Sequence, residues 1–489
     1  MQIGRLVRQW LPPLVLGVAA LVAWQAANRA DFDQATNQPE DHQLALGTPM
    51  LSARRVPLTL RAPVSDARIA DPINQTAANT PTPRYCLSVR NGDRPLGETT
   101  EEPGGLIPAS NQKIVTTYAA LGILGADFRF TTRVTATAPV DQGVVDGDLY
   151  LIGDGDPFLY TEDWLPQYQD PRPAERSHTR LEELADLVAA TGVTQVTGTI
   201  LGDESLYDQV RVGPWDSRLI DQKQSGPLSA LSVNEGFVDW PAEYPNTPRT
   251  RRETDEPAVH AASVFLQLLG ERGVTVANRP TVGINPPGSI ELASVSSPPL
   301  AETVTHINSF SSNLGAELLL KRLGFARFGS GTTESGAQAV TDFLIEQGIP
   351  MSDVLIFDGS GLAETNRMTC TALAAILAAR GPDTPLGQSL AISGRRGSLL
   401  TRFVDTVAEG QVRAKTGSLG TVLALSGYVE STVETDPDAY VTFAYIVNDD
   451  QRIGEGVDAT IQTPLVTALT GYPGGPSVEL LSPLPPVPN

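Results

Sequence analysis

The chain has 489 residues, of which 41% are hydrophobic, and it carries a formal net charge of −21. This length and composition predict a globular protein of two or three domains, and they exclude a fibrous or wholly disordered chain. The strong negative charge argues against nucleic acid or an anionic membrane surface as a partner.

The first 27 residues predict export from the cytoplasm. Arg5 and Arg8 precede an apolar run from Leu11 to Trp24, which fits a signal sequence better than a full membrane span of about 20 residues. No Ala-x-Ala cleavage site follows, so an uncleaved membrane anchor stays an alternative. Residues 28–83 are polar and rich in Pro, Asn, Thr and Asp, which indicates a tether between membrane and enzyme. We therefore expect a periplasmic or cell-envelope protein.

A helix is predicted to begin at Ser110. Ile114, Tyr118 and Leu121 fall near helical spacing, which indicates an amphipathic helix. Residues three apart share a helix face, so the amine of Lys113 can meet the hydroxyl of Ser110. An amine can act as a base when burial or a second cation lowers its pKa, whereas arginine stays protonated. The Ser-x-x-Lys pattern therefore predicts a nucleophile paired with its base.

The long interval between Lys113 and Ser311 predicts an insertion. It spans 311 − 113 = 198 residues, far more than two neighbouring helices of an acyl-transfer core need. We place one or two inserted domains at 128–255 and the core at 84–127 and 256–472, because a helical period resumes near residue 256. The elements expected inside the insertion are two short strands and one helix, at 147–151, 198–202 and 180–193.

A Ser-x-Asn pattern follows the insertion. Ser311 and Asn313 lead directly into the helical run LGAELLLKRLG, which would hold a short polar turn rigidly. Ser232 and Asn234 fit the same pattern without that helix. We therefore prefer the later pair.

Three β-rich runs follow, QVRAKTG, TVLALSGYVE and AYVTFAYIVN. Turn residues separate them, so they predict successive antiparallel strands. The first of these strands carries the Lys-Thr-Gly pattern of Lys415, Thr416 and Gly417.

A closing helix is predicted after the strands. Thr463 and Pro464 suit an N-cap and a first helical position, and the helix would end at Gly471. A sheet with helices on both sides results. The Pro- and Gly-rich residues 473–489 indicate a disordered tail.

Other chemistries find little support in the sequence. The four histidines lie outside any metal-ligand spacing, and G-x-S-x-G and nucleotide-binding loops are absent. Asp154 and Asp156 hint at calcium, but the later acidic positions of a calcium loop are missing, so a turn is the better interpretation. We expect neither a metal nor a cofactor.

The three motifs, in this order, are the signature of penicillin-binding proteins and serine β-lactamases. Four further segments resemble one branch, the D-alanyl-D-alanine carboxypeptidases and endopeptidases of peptidase family S13, also called class C penicillin-binding proteins. These segments are GDLYLIGDGDPFL, PLSALSVNEG, FDGSGLAETNRMT and SGRRGSL, at 147–159, 227–236, 357–369 and 393–399. The resemblance covers roughly residues 85–472. Ser312 stands where many relatives have Asp, and Ala363-Glu364 where Ser-Arg is common.

The resemblance implies an α/β (α+β) fold, a penicillin-binding-protein or serine β-lactamase-like core whose antiparallel sheet is flanked by helices, with the insertion beside the cleft. It also implies a mechanism on peptidoglycan stem peptides. Lys113 takes the proton of Ser110 as the serine attacks the carbonyl between two D-alanines. Ser311 passes a proton to the leaving amine, and Asn313 holds the substrate amide. β-Lactams would follow the same route and stall as acyl adducts.

The resemblance also assigns substrate-binding residues. Lys415 and Thr416 would bind the terminal carboxylate of the substrate, and Gly417 leaves room beside it. The backbone N–H groups of Ser110 and Ser418 would form the oxyanion hole.

Asp156 and the two cysteines leave alternatives open. Asp156 could pair with a free amine on the third stem residue, but a turn-forming role is the stronger interpretation. Cys86 and Cys370 are too few for a disulfide framework, and we expect buried free thiols rather than a bridge.

Two other functions fit the motifs. A β-lactamase or esterase would hydrolyse its acyl-enzyme rapidly, although the sequence shows no separate deacylation base. A wall-binding protein with a dormant site is the other alternative. The balance of carboxypeptidase and endopeptidase activity, the preferred third stem residue and the oligomeric state stay open.

Overall fold

A computed structural model describes residues 57–100, 104–164, 177–239, 252–434, 439–450, 453 and 456–474. The chain divides into two units, Met1–Leu60 with Val478–Asn489, and Arg61–Ser477. Every element below lies in the second unit, except the first turn of the first helix. The predicted signal sequence or anchor (1–27) and nearly all of the predicted tail lie outside the described residues. Within the described residues, no helix is both long and apolar enough to cross a membrane.

Strands and helices occur in groups along the chain. The helices are α1 Pro57–Asn79, α2 Gln112–Ile123, α3 Leu181–Ala190, α4 Ser217–Asp221, α5 Pro257–Glu271, α6 Leu300–Phe310, α7 Asn313–Phe328, α8 Thr333–Glu346, α9 Cys370–Ala378, α10 Pro385–Ser389 and α11 Thr463–Leu469. The strands are β1 Tyr85–Asn91, β2 Arg94–Thr100, β3 Thr131–Ala136, β4 Val140–Asp141, β5 Val144–Val145, β6 Leu149–Ile152, β7 Leu159–Tyr160, β8 Thr179–Arg180, β9 Gln195–Val196, β10 Ile200–Asp203, β11 Phe237–Asp239, β12 Arg252–Glu253, β13 Thr275–Val276, β14 Thr281–Val282, β15 Ile290–Ser296, β16 Ala391–Ile392, β17 Val412–Ser418, β18 Val422–Glu430 and β19 Tyr440–Asn448.

A six-stranded antiparallel sheet forms the centre of the core, in the order β16-β17-β18-β19-β1-β2. Alternate side chains of its strands point to opposite faces. One face, with Tyr428 and Ile446, packs against α2 and α6 to α9. The other, with Leu425 and Phe443, packs against α1 and α11. The expected antiparallel sheet between helices is confirmed, as are the three consecutive strands.

A second, five-stranded sheet has the strand order β14-β10-β6-β3-β15. The two strands predicted within the insertion, β6 and β10, pair in parallel. Helices α3 and α5 cover this sheet with buried side chains such as Leu184 and Phe265. A four-stranded sheet, β13-β9-β5-β4, lies in the same part of the chain.

The predicted end of the insertion at residue 255 is wrong. Helix α5 packs against the five-stranded sheet, and Phe265 belongs to the same buried cluster as Val134 and Ile200. Strand β15 then completes that sheet by pairing with β3 up to Ser296. The period of α5 predicted a helix correctly, but a period does not indicate which sheet the apolar face will cover.

The predicted polar tether, 28–83, is also partly wrong. Residues 57–79 form α1, which buries Ile69 and Ile73 against the core sheet. Pro63 and Pro72 lie inside this helix, and such prolines normally argue against one. Packing of an apolar face supplies most of a helix's stability, which sequence propensity does not reveal. The rest of the tether lies outside the described residues.

Cys86 and Cys370 form a disulfide, so the expectation of free thiols is wrong. The bond joins β1 to the first residue of α9 across 284 residues of sequence. Helix α9 packs on the sheet face that carries Cys86. This contact between distant segments could not be deduced from two isolated cysteines.

Candidate active site

Ser110 lies in a 3-10 turn, Ala109–Asn111, that leads directly into α2. One turn later, the amine of Lys113 donates a hydrogen bond of 2.9 Å to the Ser110 hydroxyl oxygen. The helix is buried on all sides from Gln112 to Ala120, so the expected amphipathic pattern is wrong. It packs against α6 to α9 within the buried cluster that also covers one face of the sheet, and this position removes Lys113 from solvent.

Lys113 makes two further hydrogen bonds. Its amine donates to Asn313 Oδ1 and to the backbone carbonyl of Ser360, both at 2.7 Å. The side chain is fully buried. Burial lowers the pKa of Lys113 to about 7, although the nearby Asp358 and Glu317 carboxyl groups act in the opposite direction. Near neutral pH a substantial fraction of the amine is therefore uncharged and able to accept a proton.

The Ser-x-Asn turn links α6 to α7. Ser311 adopts a left-handed conformation with φ of 62° at the end of α6. The side chain of Ser312 caps α7 by accepting from the N–H of Gly315. Asn313 donates from Nδ2 to the carbonyl of Gln224 at 2.6 Å, so both ends of its amide are fixed.

The competing Ser232–Asn234 pattern lies elsewhere. Asn234 Oδ1 accepts from the N–H of Thr161, and Asn234 Nδ2 donates to the hydroxyl of Thr161. Neither Ser232 nor Asn234 lines the cleft that holds Ser110. The preference for the later pattern agrees with this placement.

Strand β17 brings the third motif to the same place. The amine of Lys415 donates to the hydroxyl of Ser311 and to the carbonyl of Thr416, both at 2.9 Å. The hydroxyl of Thr416 lies 3.0 Å from that of Ser398. A Cβ atom at Gly417 would lie 2.9 Å from the carbonyl oxygen of Pro108, so this glycine lets the strand approach the nucleophile turn closely.

A cleft of about 1180 Å³ opens where these elements meet. The predicted residues that line it are Ser110, Ser311, Asn313, Thr416, Gly417 and Ser418. Lys113 and Lys415 lie directly behind these residues and are fully buried. All three motifs therefore meet at one site.

Asp156 is placed away from these residues. It does not line the cleft, and its side chain is buried. One carboxylate oxygen accepts from the N–H of Phe158 at 3.0 Å, and the other accepts from the hydroxyl of Thr179. Burial raises the pKa of Asp156 above its usual range. These contacts are those of the turn-forming alternative.

The sequence analysis missed two acidic residues behind Lys113. Glu317 and Asp358 are fully buried, and both act on the pKa of Lys113. A possible signal was present, since Glu317 interrupts an apolar helical run, and acids are rarely buried without a reason. Other missed residues line the cleft, among them Arg218, Gln224, Glu364, Ser398 and Arg402.

The D-Ala-D-Ala carboxypeptidase 3 (S13) family matches residues 99–250 and 240–472, which together cover most of the chain. The chain belongs to this family. It is therefore a peptidase of the hydrolase class, as the sequence predicted.

Two curated relatives agree with this assignment. A D-alanyl-D-alanine carboxypeptidase of Actinomadura sp. (strain R39) is 30% identical over 418 residues, which cover 70% of this chain and 73% of the relative. A carboxypeptidase of Mycobacterium tuberculosis is 32% identical over 373 residues, covering 74% and 75%.

Solved structures show the same fold at lower identity. Penicillin-binding protein 4 of Haemophilus influenzae superimposes with a TM-score of 0.64 at 20% identity, covering 84% of this chain and 99% of that one. The same protein in complex with a β-lactam gives a TM-score of 0.61 at 19% identity, with the same coverage. The predicted penicillin-binding-protein fold is thereby confirmed.

Proposed function

We propose that this protein is a serine-type D-alanyl-D-alanine carboxypeptidase and endopeptidase that cleaves peptidoglycan stem peptides through an acyl-enzyme. The 2.9 Å hydrogen bond between the Lys113 amine and the Ser110 hydroxyl carries the proposal. A base with a pKa near neutrality, in hydrogen-bond contact with a hydroxyl, is the arrangement that serine acyl transfer requires.

Acylation begins with proton transfer from Ser110 to the neutral amine of Lys113. The Ser110 oxygen attacks the carbonyl carbon between two D-alanines, and the new C–O bond gives a tetrahedral oxyanion. The backbone N–H groups of Ser110 and Ser418 are proposed to stabilise that charge. The contact of Gly417 with the turn before Ser110 supports this role, because it brings the two segments together.

Collapse of the intermediate breaks the C–N bond. The proton that Lys113 took from Ser110 passes to the leaving amine through the hydroxyl of Ser311, which is hydrogen-bonded to the Lys415 amine, and Lys113 is neutral again. Asn313, fixed at both ends of its amide, orients the substrate. Thr416, together with the positive charge behind it at Lys415, binds the terminal carboxylate. Water then hydrolyses the acyl-enzyme and regenerates Ser110.

The same route leads to covalent binding of penicillins. A β-lactam offers a reactive amide carbonyl to Ser110, but its leaving group stays tethered to the acyl part. The adduct therefore persists, and we expect burst labelling without sustained penicillin hydrolysis. Sustained hydrolysis would instead support the β-lactamase alternative.

We infer export to the periplasm or cell envelope, where the substrate lies. The disulfide between Cys86 and Cys370 supports this location, because disulfides persist mainly in oxidising compartments. The apolar run near the amino end is the proposed export signal or anchor.

Incubation of the protein with purified muropeptides tests the proposed activity. We expect mass spectrometry to show release of D-alanine from pentapeptides, cleavage of D-alanyl cross-links, or both. Intact muropeptides after incubation with a protein that has the native disulfide would contradict the proposal.

A further inference from the structure

A pair of buried carboxyl groups lies behind the base. Glu317 on α7 and Asp358 in the loop that follows α8 are both fully buried. In the part of the chain that the structure describes, neither forms a salt bridge with a lysine or an arginine. Buried acids without a paired cation are rare, because removal of a carboxylate from water is strongly unfavourable. Their position therefore requires an explanation.

Glu317 is connected to Lys113 through a single residue. Its carboxylate accepts from the N–H of Ser360 at 2.8 Å and from the N–H of Gly359 at 3.1 Å. The carbonyl of the same Ser360 accepts from the Lys113 amine at 2.7 Å. Glu317 also lies one helical turn after Asn313, the other partner of that amine. The acid thus fixes the residue that holds the base.

Asp358 fixes the rest of the loop. It accepts from the N–H groups of Gly361 and Ala363 at 2.8 and 2.7 Å, and from Asn366 Nδ2 at 2.7 Å. The indole N–H of Trp215 donates to it at 3.1 Å. Trp215 precedes a segment that lines the cleft, so this carboxylate joins the loop to the cleft wall.

The loop also presses against the nucleophile turn. A Cβ atom at Gly361 would lie 1.9 Å from the carbonyl oxygen of Ala109, and one at Gly359 would lie 2.4 Å from that of Ala316. A shift of the loop would therefore move both the turn that carries Ser110 and the carbonyl that holds Lys113. Displacements of about 1 Å at such sites can reduce the rate about a hundredfold.

The charges near the amine support the same arrangement. When Lys113 takes the proton of Ser110, it becomes a cation at a position buried from solvent. Among the described residues, Asp358 and Glu317 are the groups whose negative charge favours the protonated amine, and Asp358 has the larger effect. Burial, with the nearby Asp358, raises the pKa of Glu317 to about 8, so Glu317 is largely uncharged below that pH and the electrostatic effect comes mainly from Asp358.

We propose that Glu317 and Asp358 are positioning residues for Lys113. Glu317 fixes the Ser360 carbonyl against the amine, and Asp358 holds the rest of the loop and compensates the positive charge that the amine gains during acylation. This inference rests on the proposed function. To the proposed mechanism it adds two buried acidic residues behind Lys113, which hold the amine in place and influence the pH at which it is uncharged.

The test is the pH dependence of the second-order rate of acylation by a fluorescent penicillin, which reports the free enzyme's ionisations. A nearby carboxylate retains the proton on Lys113, so its removal must make the amine neutral at lower pH. For Asp358→Asn we expect the pH of half-maximal acylation to fall by about 0.5 unit or more, with a lower plateau because the base is weaker. Asp358→Glu keeps the charge and should keep the native half-maximal pH, with a lower plateau.

Glu317→Ala leaves the N–H groups of Gly359 and Ser360 without their acceptor and should lower the plateau, whereas Glu317→Gln keeps an oxygen acceptor and should retain most of it. Both variants should keep a half-maximal pH near the native value, because Glu317 is largely uncharged there. Glu346→Gln, at an exposed site on α8, should behave as the native protein. Thermal melting shows which variants are folded. An unchanged half-maximal pH in folded Asp358→Asn, or a native plateau in folded Glu317→Ala, would overturn the inference. If the native protein itself is not acylated, the proposed function fails instead.

Discussion

Asn313 Oδ1 accepts a hydrogen bond of 2.7 Å from the amine of Lys113, although the two residues are 200 positions apart in the chain. The bond joins the Ser-x-Asn turn to the Ser-x-x-Lys helix. A second bond, from Lys415 to Ser311, joins the same turn to the Lys-Thr-Gly strand. The three motifs therefore form one connected set, with the turn between α6 and α7 at its centre.

Replacement of the base should abolish most of the activity. In Lys113→Arg the side chain keeps its positive charge but cannot deprotonate. We expect the rate of penicillin acylation to fall by about 10²–10⁴-fold. Stopped-flow or gel-based labelling measures the rate. Lys321→Arg, at a buried lysine that pairs with Asp208 outside the cleft, is the matched control and should keep the native rate. Equal losses in both variants would contradict the assignment.

The pH dependence of acylation should follow the protonation of Lys113. Burial lowers its pKa to about 7, and only the neutral amine accepts a proton. The rate should therefore rise as the pH increases through about 7 and then level off. Acylation measured at intervals between pH 5 and 9 checks this. A rate that stays flat below pH 7 would show that another group acts as the base.

The close approach at Gly417 should matter for catalysis. In Gly417→Ala the new Cβ would meet the carbonyl oxygen of Pro108, and the turn that carries Ser110 must move. We expect acylation to fall at least about tenfold. Gly270→Ala, where a Cβ has open space on helix α5, should keep the activity and raise stability slightly. Native acylation in Gly417→Ala would argue against a contribution of this contact to the oxyanion hole.

The disulfide should stabilise the core without taking part in the chemistry. The native protein, denatured without reductant, should show no free thiol, since the chain has two cysteines. The double variant Cys86→Ser, Cys370→Ser should lose about 2–5 kcal/mol of stability in denaturant titrations. The folded fraction should still be labelled by penicillin. Two reactive thiols in the oxidised native protein would contradict the pairing.

The order and chemistry of the motifs could be predicted from sequence because each is local. Ser110 and Lys113 share a helix turn, and Ser311 and Asn313 share a tight turn before a helix. The strand that carries Lys415 is a β-rich run between turn residues. In each case local sequence determines the geometry.

The features that sequence analysis missed depend on packing between distant segments. The apolar face of α5 could have covered either the six-stranded or the five-stranded sheet, and only the fold shows that it covers the five-stranded one. Cys86 and Cys370 meet because α9 packs on β1. Glu317 was not recognised as a site residue, because it lies within an apolar run and its partners Gly359 and Ser360 are more than 40 residues away in the sequence.

The identity of the acylated residue tests the central claim most directly. The protein is incubated with a penicillin, and the adduct is located by peptide mass spectrometry. We expect one adduct per chain, on Ser110, and none in Ser110→Ala, while Ser263→Ala, at an exposed position on α5, labels as the native protein does. An adduct on another residue, or undiminished labelling of Ser110→Ala, would contradict the account.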